Sequence, residues 1–549
     1  MKQICLLVLT IFLSNSAIAQ KRADEEALHS NPKLVVGVVV DQMRYDYITR
    51  FYSKFGDGGF KRLVGKGFNF KNAHFNYIPT YTGPGHASVH TGATPESHGI
   101  IGNNWYNKFE RESVYCAGDD SVEPVGTTSS AGKMSPHRML TTTFADENRL
   151  HTQLKGKTIG VALKDRGSIL PAGHAANAAY WFHGQVEGKW ITSSYYRNDL
   201  PQWVKDFNAS GKADSYFKTW EPLHDISTYT ESGSDANEYE GGFRGQETAA
   251  FPYNLKDLSA KNGGYEIIKA TPFGNSLTLD FALAAIDGED LGQDEITDVL
   301  TLSFSSTDYV GHNFGVNSKE IEDTYLRLDQ DIKRLLDALD EKVGKGNYTV
   351  FLTSDHGGVH VPSYLESVKI PAGYFDFGDY ISSVEDFLLK RFGVDDIILN
   401  VSNNQLFFDY EKLLAEDISF EEVEEAIAHY SLQYEMINKV YTRSQLEATT
   451  FTRGMDALID MGYHQKRSGD VILVLDPSVI SYSRTGSTHG SGQNYDTHAP
   501  LILFGNGINQ GSSAERVSIT DIAPTISTLL GIPFPNGATG EPLLMAIEK

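Results

Sequence analysis

The chain is 549 residues long, 40% hydrophobic and acidic, with 71 Asp and Glu against 47 Lys and Arg and a formal charge of −24. So negative a surface repels polyanions, which excludes nucleic acid as the natural partner, and this length buries a core that needs no disulfides. An anionic substrate therefore requires positive charge concentrated at its own site.

The chain opens MKQICLLVLTIFLSNSAIAQ, with Lys2, an apolar run from Ile4 to Leu13 and the small-x-small triplet Ala17-Ile18-Ala19. This is a secretory signal peptide over 1–19, cut before Gln20, because the run falls short of the roughly 20 residues that span a bilayer. Cleavage removes Lys2 and no acid, leaving a formal charge of −25, and it also removes Cys5, one of only two cysteines. Cys116 is then alone, so the exported chain holds no internal disulfide, and with no cysteine following the cut there is no lipid anchor. A periplasmic protein without a membrane anchor is expected, with a monomer favoured over an oligomer.

In chain order, LVVGVVV (Leu34 to Val40) reads as a buried parallel strand ending at Asp41. NYIPTYTGPGHASVHTGATPESHGIIGNNWY (Asn76 to Tyr106) brings Thr80 and Thr82 before a Gly-Pro-Gly step, where a hydroxyl either caps a helix or does chemistry, and predicts a helix over His86 to Thr91. VALKDRGS (Val161 to Ser168) carries Lys164 and Arg166, whose i, i+2 spacing puts both on one side of an extended segment. VLTLSFS (Val299 to Ser305) is a second strand, followed by Asp308 and His312 at a D-x-x-x-H spacing that one turn can aim at a single ion. Apolar residues from Ile321 to Leu339 recur at helical spacing, predicting a helix between Glu320 and Lys342 that Gly344 and Gly346 stop. YTVFLTS (Tyr348 to Ser354) runs into Asp355-His356, neighbours whose side chains diverge unless the strand end is kinked. VILVL (Val471 to Leu475) and PLILFG (Pro500 to Gly505) bracket a Ser-, Thr- and Gly-rich loop holding His489, and a helix from Asp521 to Leu530 closes the pattern. Segments near 190–258 and 395–460 read as insertions on a single catalytic domain over 20–549.

Alternating strands and helices predict an α/β fold with a mostly parallel central sheet covered on both faces. Asp41, Asp308, Asp355 and His356 all follow strand ends, where ligands of open α/β sheets gather. With His312 and His489 they make three carboxylates and three imidazoles, an inventory suited to two zinc-like ions with positions left open. His86, His90, His98 and His498 are read as structural.

D-Q-M-R after the first strand, P-T-Y-T-G-P-G-H-A, T-G-A-T-P-E-S-H-G-I-I-G-N-N-W-Y, S-T-D-Y-V-G-H and T-S-D-H-G-G, in this order, resemble the alkaline phosphatase superfamily. Within it the chain is similar to the phosphate-irrepressible alkaline phosphatases of the PafA type, over nearly its whole mature length. The resemblance implies one zinc on Asp41, Asp355 and His356, a second on Asp308, His312 and His489, and Thr82 as both nucleophile and metal ligand. It also assigns phosphate binding to Asn103, otherwise a plain turn residue, and to Lys164 and Arg166. Metal activation agrees with elementary chemistry, since a free threonine hydroxyl is a poor nucleophile at neutral pH. The implied activity is two-zinc hydrolysis of small phosphate monoesters through a phosphothreonine. The nearest alternative is a phosphodiesterase of the nucleotide pyrophosphatase type, which lacks the Lys-Arg pair. A sulfatase would need Cys or Ser where Thr82 stands, and a non-catalytic metal-binding protein would need no nucleophile.

Overall fold

The computed structural model describes residues 31–547, so the leader read over 1–19 lies outside the described residues. Strand β1 (Leu34–Val40) is buried along its whole length. Its alternate side chains face opposite ways: Val36, Val38 and Val40 enter one apolar core, Val35 and Val39 the other. A strand apolar on both faces can only lie in the middle of a sheet covered on both sides.

The other strands of the main sheet up to that point in the chain are β2 (Phe68–His74), β3 (Pro124–Val125), β4 (Thr158–Ala162), β5 (Ala178–His183), β6 (Lys189–Ser193), β7 (Asp298–Phe304) and β8 (Tyr348–Thr353). A smaller sheet follows, made of β9 (Ile398–Ser402), β10 (Gln405–Phe408), β11 (Ile437–Thr442) and β12 (Val471–Leu475). The chain then returns to the main sheet with β13 (His498–Gly505), β14 (Gly511–Ser513) and β15 (Val517–Ser518). The eleven strands of the main sheet run in the order β14, β2, β13, β8, β1, β7, β4, β5, β6, β3, with β15 also paired to β2. The five central strands β8, β1, β7, β4 and β5 are parallel, while β13 and β6 are antiparallel to their neighbours. The sheet is therefore mixed: parallel where the site lies, with β13 and β6 antiparallel beside it and β14 and β15 parallel to β2 at one edge.

Helices α1 (Thr82–Thr91), α2 (Asp165–Ala172), α3 (Ser306–Phe314), α4 (Lys319–Leu339) and α5 (Ile522–Leu530) pack around this sheet. Ile321, Leu328, Ile332 and Leu336 of α4 lie in one core with β1, and Ile522 and Ile526 of α5 lie in the other. The helix predicted to reach Lys342 ends at Leu339 and passes into a π-helical turn, Asp340–Gly344. The strand expected from Val299 starts one residue earlier.

One strand joins a second sheet, and one expectation is corrected. Val471–Leu475 is a strand, but it pairs with β10 and β11 in the smaller sheet, which has its own apolar core around Leu406, Phe408, Val423, Ile427 and Leu473. Lys164 and Arg166 do not share an extended segment. Lys164 is the N-cap of α2, and Asp165, the first helical residue, accepts the Arg166 N–H at 2.5 Å, so a helix starts between the two cations. The aromatic stretch from 190 begins inside the main sheet, since Trp190 lies on β6. Cys116 is a free, buried thiol.

Helix α1 starts at Thr82 rather than His86, and its close seat on the sheet edge requires Gly85. A Cβ at that position would run into the Asp355 carbonyl and lie 2.7 Å from the Asp355 Cβ. Gly85→Ala is accordingly expected to lower stability by about 1–3 kcal/mol through overpacking. Gly65→Ala, in the helix Phe60–Lys66 with nothing within 4 Å of the added carbon, should be neutral or stabilising. There the gain is up to about 1 kcal/mol from helix propensity. Urea unfolding midpoints of the two variants check the contrast.

Candidate active site

Adjacent parallel strands deliver the polar residues to one edge. Asp41 follows β1, Asp308 lies in the first turn of α3 after β7, Asp355 and His356 follow β8, and Lys164 follows β4. These four strands are neighbours in the order β8, β1, β7, β4, so their carboxyl ends line one crevice. Thr82 reaches it from the start of α1, after β2, and His489 from the loop before the antiparallel β13. The backbone bends at Asp355, which lets consecutive side chains converge: His356 Nε2 lies 3.5 Å from Asp355 Oδ2 and 3.5 Å from Asp41 Oδ1. On α3 the i, i+4 spacing brings His312 Nε2 to 3.2 Å from Asp308 Oδ1, and His489 Nε2 lies 3.6 Å from the same oxygen.

The three imidazoles are oriented alike. His312 Nδ1 donates to the Ser487 carbonyl at 2.7 Å, His489 Nδ1 to that of Thr80 at 2.8 Å and His356 Nδ1 to that of Gly357 at 2.9 Å. With the proton fixed on Nδ1, each ring turns a bare Nε2 towards the carboxylates, the arrangement a metal-ligating histidine takes. Asp41 Oδ1, Asp355 Oδ2 and His356 Nε2 are buried and have no hydrogen-bond partner among the described residues. Polar atoms buried without partners are costly, and a cation among them removes the cost. Ligand atoms of Asp308, His312 and His489 lie within 4.8 Å of one another, as do those of Asp41, Asp308 and His356. Asp308 is thus common to both clusters, and Asp355 joins the second through His356. The donor set fits metal ions.

The electrostatics point the same way. Lys164 Nζ lies 2.6 Å from Asp41 Oδ2 and 2.6 Å from Asp308 Oδ2, so one ammonium serves buried carboxylates from two strands. Burial disfavours the Lys164 charge, but Asp308 and Asp41 hold it well above the ordinary lysine range. Asp41 is pushed well above the usual carboxylate range, first by burial and then by Asp355. Burial would raise Asp308 too, yet His312 and Lys164 bring it well below. His489 is held neutral by burial and by His356 beside it. One ammonium serves these buried carboxylates, and a metal cation would offset the remaining negative charge.

Thr82 is the first residue of α1, not its cap; Tyr81 holds the cap position without a side-chain bond. Its hydroxyl is buried and lies 3.4 Å from Lys164 Nζ, at the end of the helix where free amides favour an anion. The side chain that bonds this end is Asn103, whose Oδ1 accepts the Gly83 N–H at 2.7 Å. That bond fixes the amide so that Nδ2, without a partner among the described residues, remains available to a ligand oxygen. Arg166 Nη1 donates to the Tyr115 hydroxyl at 3.1 Å, and that hydroxyl bonds Asp165.

Sequence reasoning missed several of these supports. His86, read as structural, lies 3.2 Å from Asp355 Oδ2, with Nδ1 2.9 Å from the Thr82 carbonyl and Nε2 2.8 Å from Ser303 Oγ. Its i+4 offset from Thr82 was the available signal. Ser354 Oγ accepts the Met43 N–H at 2.8 Å and braces the turn before Asp355, and Tyr115 gave no signal at all.

Known proteins resemble the chain over its whole length. A Myroides odoratus protein named calcium-transporting ATPase is 43% identical over 553 residues, 100% of each chain. Alkaline phosphatase PafA of Elizabethkingia meningoseptica is 46% identical over 523 residues, 94% of this chain and 95% of that one. The crystal structure of wild-type PafA superposes with a TM-score of 0.91 at 45% identity, covering 94% of this chain and 99% of that one. A family model for type I phosphodiesterase / nucleotide pyrophosphatase matches residues 35–499. The chain belongs to that family, within the alkaline phosphatase superfamily, and is a phosphatase enzyme with the PafA fold.

Proposed function

We propose that the protein is a periplasmic two-zinc alkaline phosphatase that hydrolyses small phosphate monoesters through a phosphothreonine on Thr82. The observation that carries this reading is the position of the Thr82 hydroxyl, at a helix start and 3.4 Å from Lys164 Nζ, beside two clusters of metal-ligand atoms. Asp41, Asp355 and His356 would hold one ion and Asp308, His312 and His489 the other, with Thr82 as a further ligand. Zinc there supplies Lewis acidity, lowering the pKa of a bound hydroxyl or water and offsetting negative charge. Thr82 Oγ attacks phosphorus in line, the bond to the ester oxygen breaks and the alcohol leaves with a proton. Water then attacks the phosphothreonine from the side the alcohol vacated, giving phosphate, a restored Thr82 and overall retention at phosphorus. Asn103 Nδ2, Lys164, Arg166 and the Thr82 amide hold the non-bridging oxygens.

The family model's name favours a second reading, a diesterase acting on nucleotides. Lys164 and Arg166 favour the monoesterase, because a monoester dianion has one more charged oxygen to be met than a diester has. The Myroides relative's name suggests ATP, whose terminal phosphate presents the same dianionic group. No helix among the described residues is long and apolar enough to cross a membrane. The stretch from the end of β6 to about 258, and that near 395–460 together with β12, are proposed as insertions on the catalytic core, and the protein as a monomer.

Three measurements test the proposal. Thr82→Ala should retain its metals and its unfolding midpoint while kcat/KM falls by about a thousandfold or more, and Thr82→Ser should stay within about tenfold; near-native turnover of the alanine variant would exclude Thr82 as nucleophile. Chelation should abolish activity and zinc restore it, with two ions per chain at saturation, and His489→Ala should weaken one ion far more than the other. Finally, Lys164→Ala/Arg166→Ala should slow an aryl phosphate monoester more than its methyl diester, by on the order of several kcal/mol. Equal slowing, or a parent enzyme that prefers the diester, would establish the diesterase instead.

A further inference from the structure

We propose that Gln42 is the positioning residue that joins the two halves of the metal centre, its backbone held by Asp355 and its side-chain amide holding Asp308, and that Gly311 and Gly358 lack side chains in order to seat it. The inference rests on the metal assignment proposed above. Gln42 follows Asp41 at the end of the central strand β1 and is 2% exposed. Its φ is 60°, in the left-handed region that glycine and asparagine tolerate and glutamine does not favour. A buried residue kept in that conformation needs a reason, and its contacts supply one.

The left-handed turn points the Gln42 N–H at Asp355 Oδ1, 3.1 Å away, while the side-chain Nε2 donates to Asp308 Oδ1 at 2.8 Å. These carboxylates follow β8 and β7, the two strands that flank β1. One residue on the central strand thus ties the ligand groups of both neighbours. The bonded oxygen of Asp308 is the one that His312 Nε2 and His489 Nε2 face at 3.2 and 3.6 Å. The amide therefore fixes the carboxylate of that cluster in rotation as well as position.

Two glycines of the metal-bearing motifs complete the fit. A Cβ on Gly311 would run into the Gln42 amide oxygen, with Gln42 Cδ at 2.9 Å and Nε2 at 3.5 Å, so all three nearest atoms belong to Gln42. A Cβ on Gly358 would meet Gln42 Cδ, Cγ and Oε1, each at 3.2 Å. Gly311 lies inside α3, where glycine weakens a helix, and neither position has the positive φ that would call for glycine. Room for one side chain accounts for both.

The test is a cycle on the zinc-loaded enzyme, with each ion's affinity read by chelator competition alongside the unfolding midpoint. Q42G relaxes the backbone and deletes the amide; Q42N tolerates the same φ but is one methylene too short to reach Asp308. Both should weaken, by about 10–100-fold, the same ion that His489→Ala weakens, and change the other by less than about threefold. Gly311→Ala should cause a similar selective loss when Gln42 is intact and little further change in the Q42G background, because the atoms it strikes are gone. Unchanged affinity of both ions in Q42G and Q42N, equal loss of both, or a Gly311→Ala effect of the same size in both backgrounds would each overturn the role of Gln42. A parent protein that binds no zinc would overturn the metal assignment instead, a separate result read before any variant is made.

Discussion

Three buried carboxylates from adjacent strands meet at one edge of the sheet, and nearly every feature of the site answers the repulsion among them. Asp41, Asp308 and Asp355 are fully or almost fully out of water, where like charges cannot be left uncompensated. Lys164 reaches between two of them, the Gln42 backbone bonds the third with His86 close beside it, and three imidazoles present bare nitrogens to the same space. A fold that gathers this much negative charge is committed to cations. In a protein whose overall charge is −24, cations held here would make approach of an anionic phosphate ester favourable at this edge.

The parallel geometry of the central strands makes such a gathering possible. Parallel strands end at one edge, so residues hundreds of positions apart arrive side by side without long loops. The antiparallel β13 then supplies its N-terminal end at that edge, bringing His489 opposite the ligands from the parallel strands. Helix α1 adds a different kind of group, backbone amides at a helix start, and Gly85 lets that end sit against the Asp355 backbone.

Much of this was legible in the sequence because buried parallel strands are continuous apolar runs, and a polar residue that ends such a run stands out. LVVGVVV followed by Asp41 and YTVFLTS followed by Asp355-His356 could be read from local pattern alone. Membership in a sheet could not: VILVL announces a strand, but nothing within five residues says which neighbours it will pair with, and it joined the smaller sheet. The local structure at Lys164 was misjudged because a helix starts at Asp165, directly after it. Gln42 and Tyr115 stayed hidden for a related reason, since their partners lie far along the chain and only the assembled sheet edge brings them together. His86 shows the limit of periodicity, which marks a residue as helical without saying that its ring braces a carboxylate.

The order of strands also has a consequence for synthesis. The strand that leads to Thr82, β2, comes early in the chain, yet it does not touch β8 or β1; it reaches the central strands only through β13, which lies near the C-terminus. A chain emerging N-terminus first can pair β1 with β7 and β8 while β2 and the helix start carrying Thr82 still lack their place. The last long strand has to enter between segments made much earlier, and the loop just before it delivers His489. Completion of the site therefore waits on the last long strand, and a chain cut short before β13 holds neither the place of β2 nor His489.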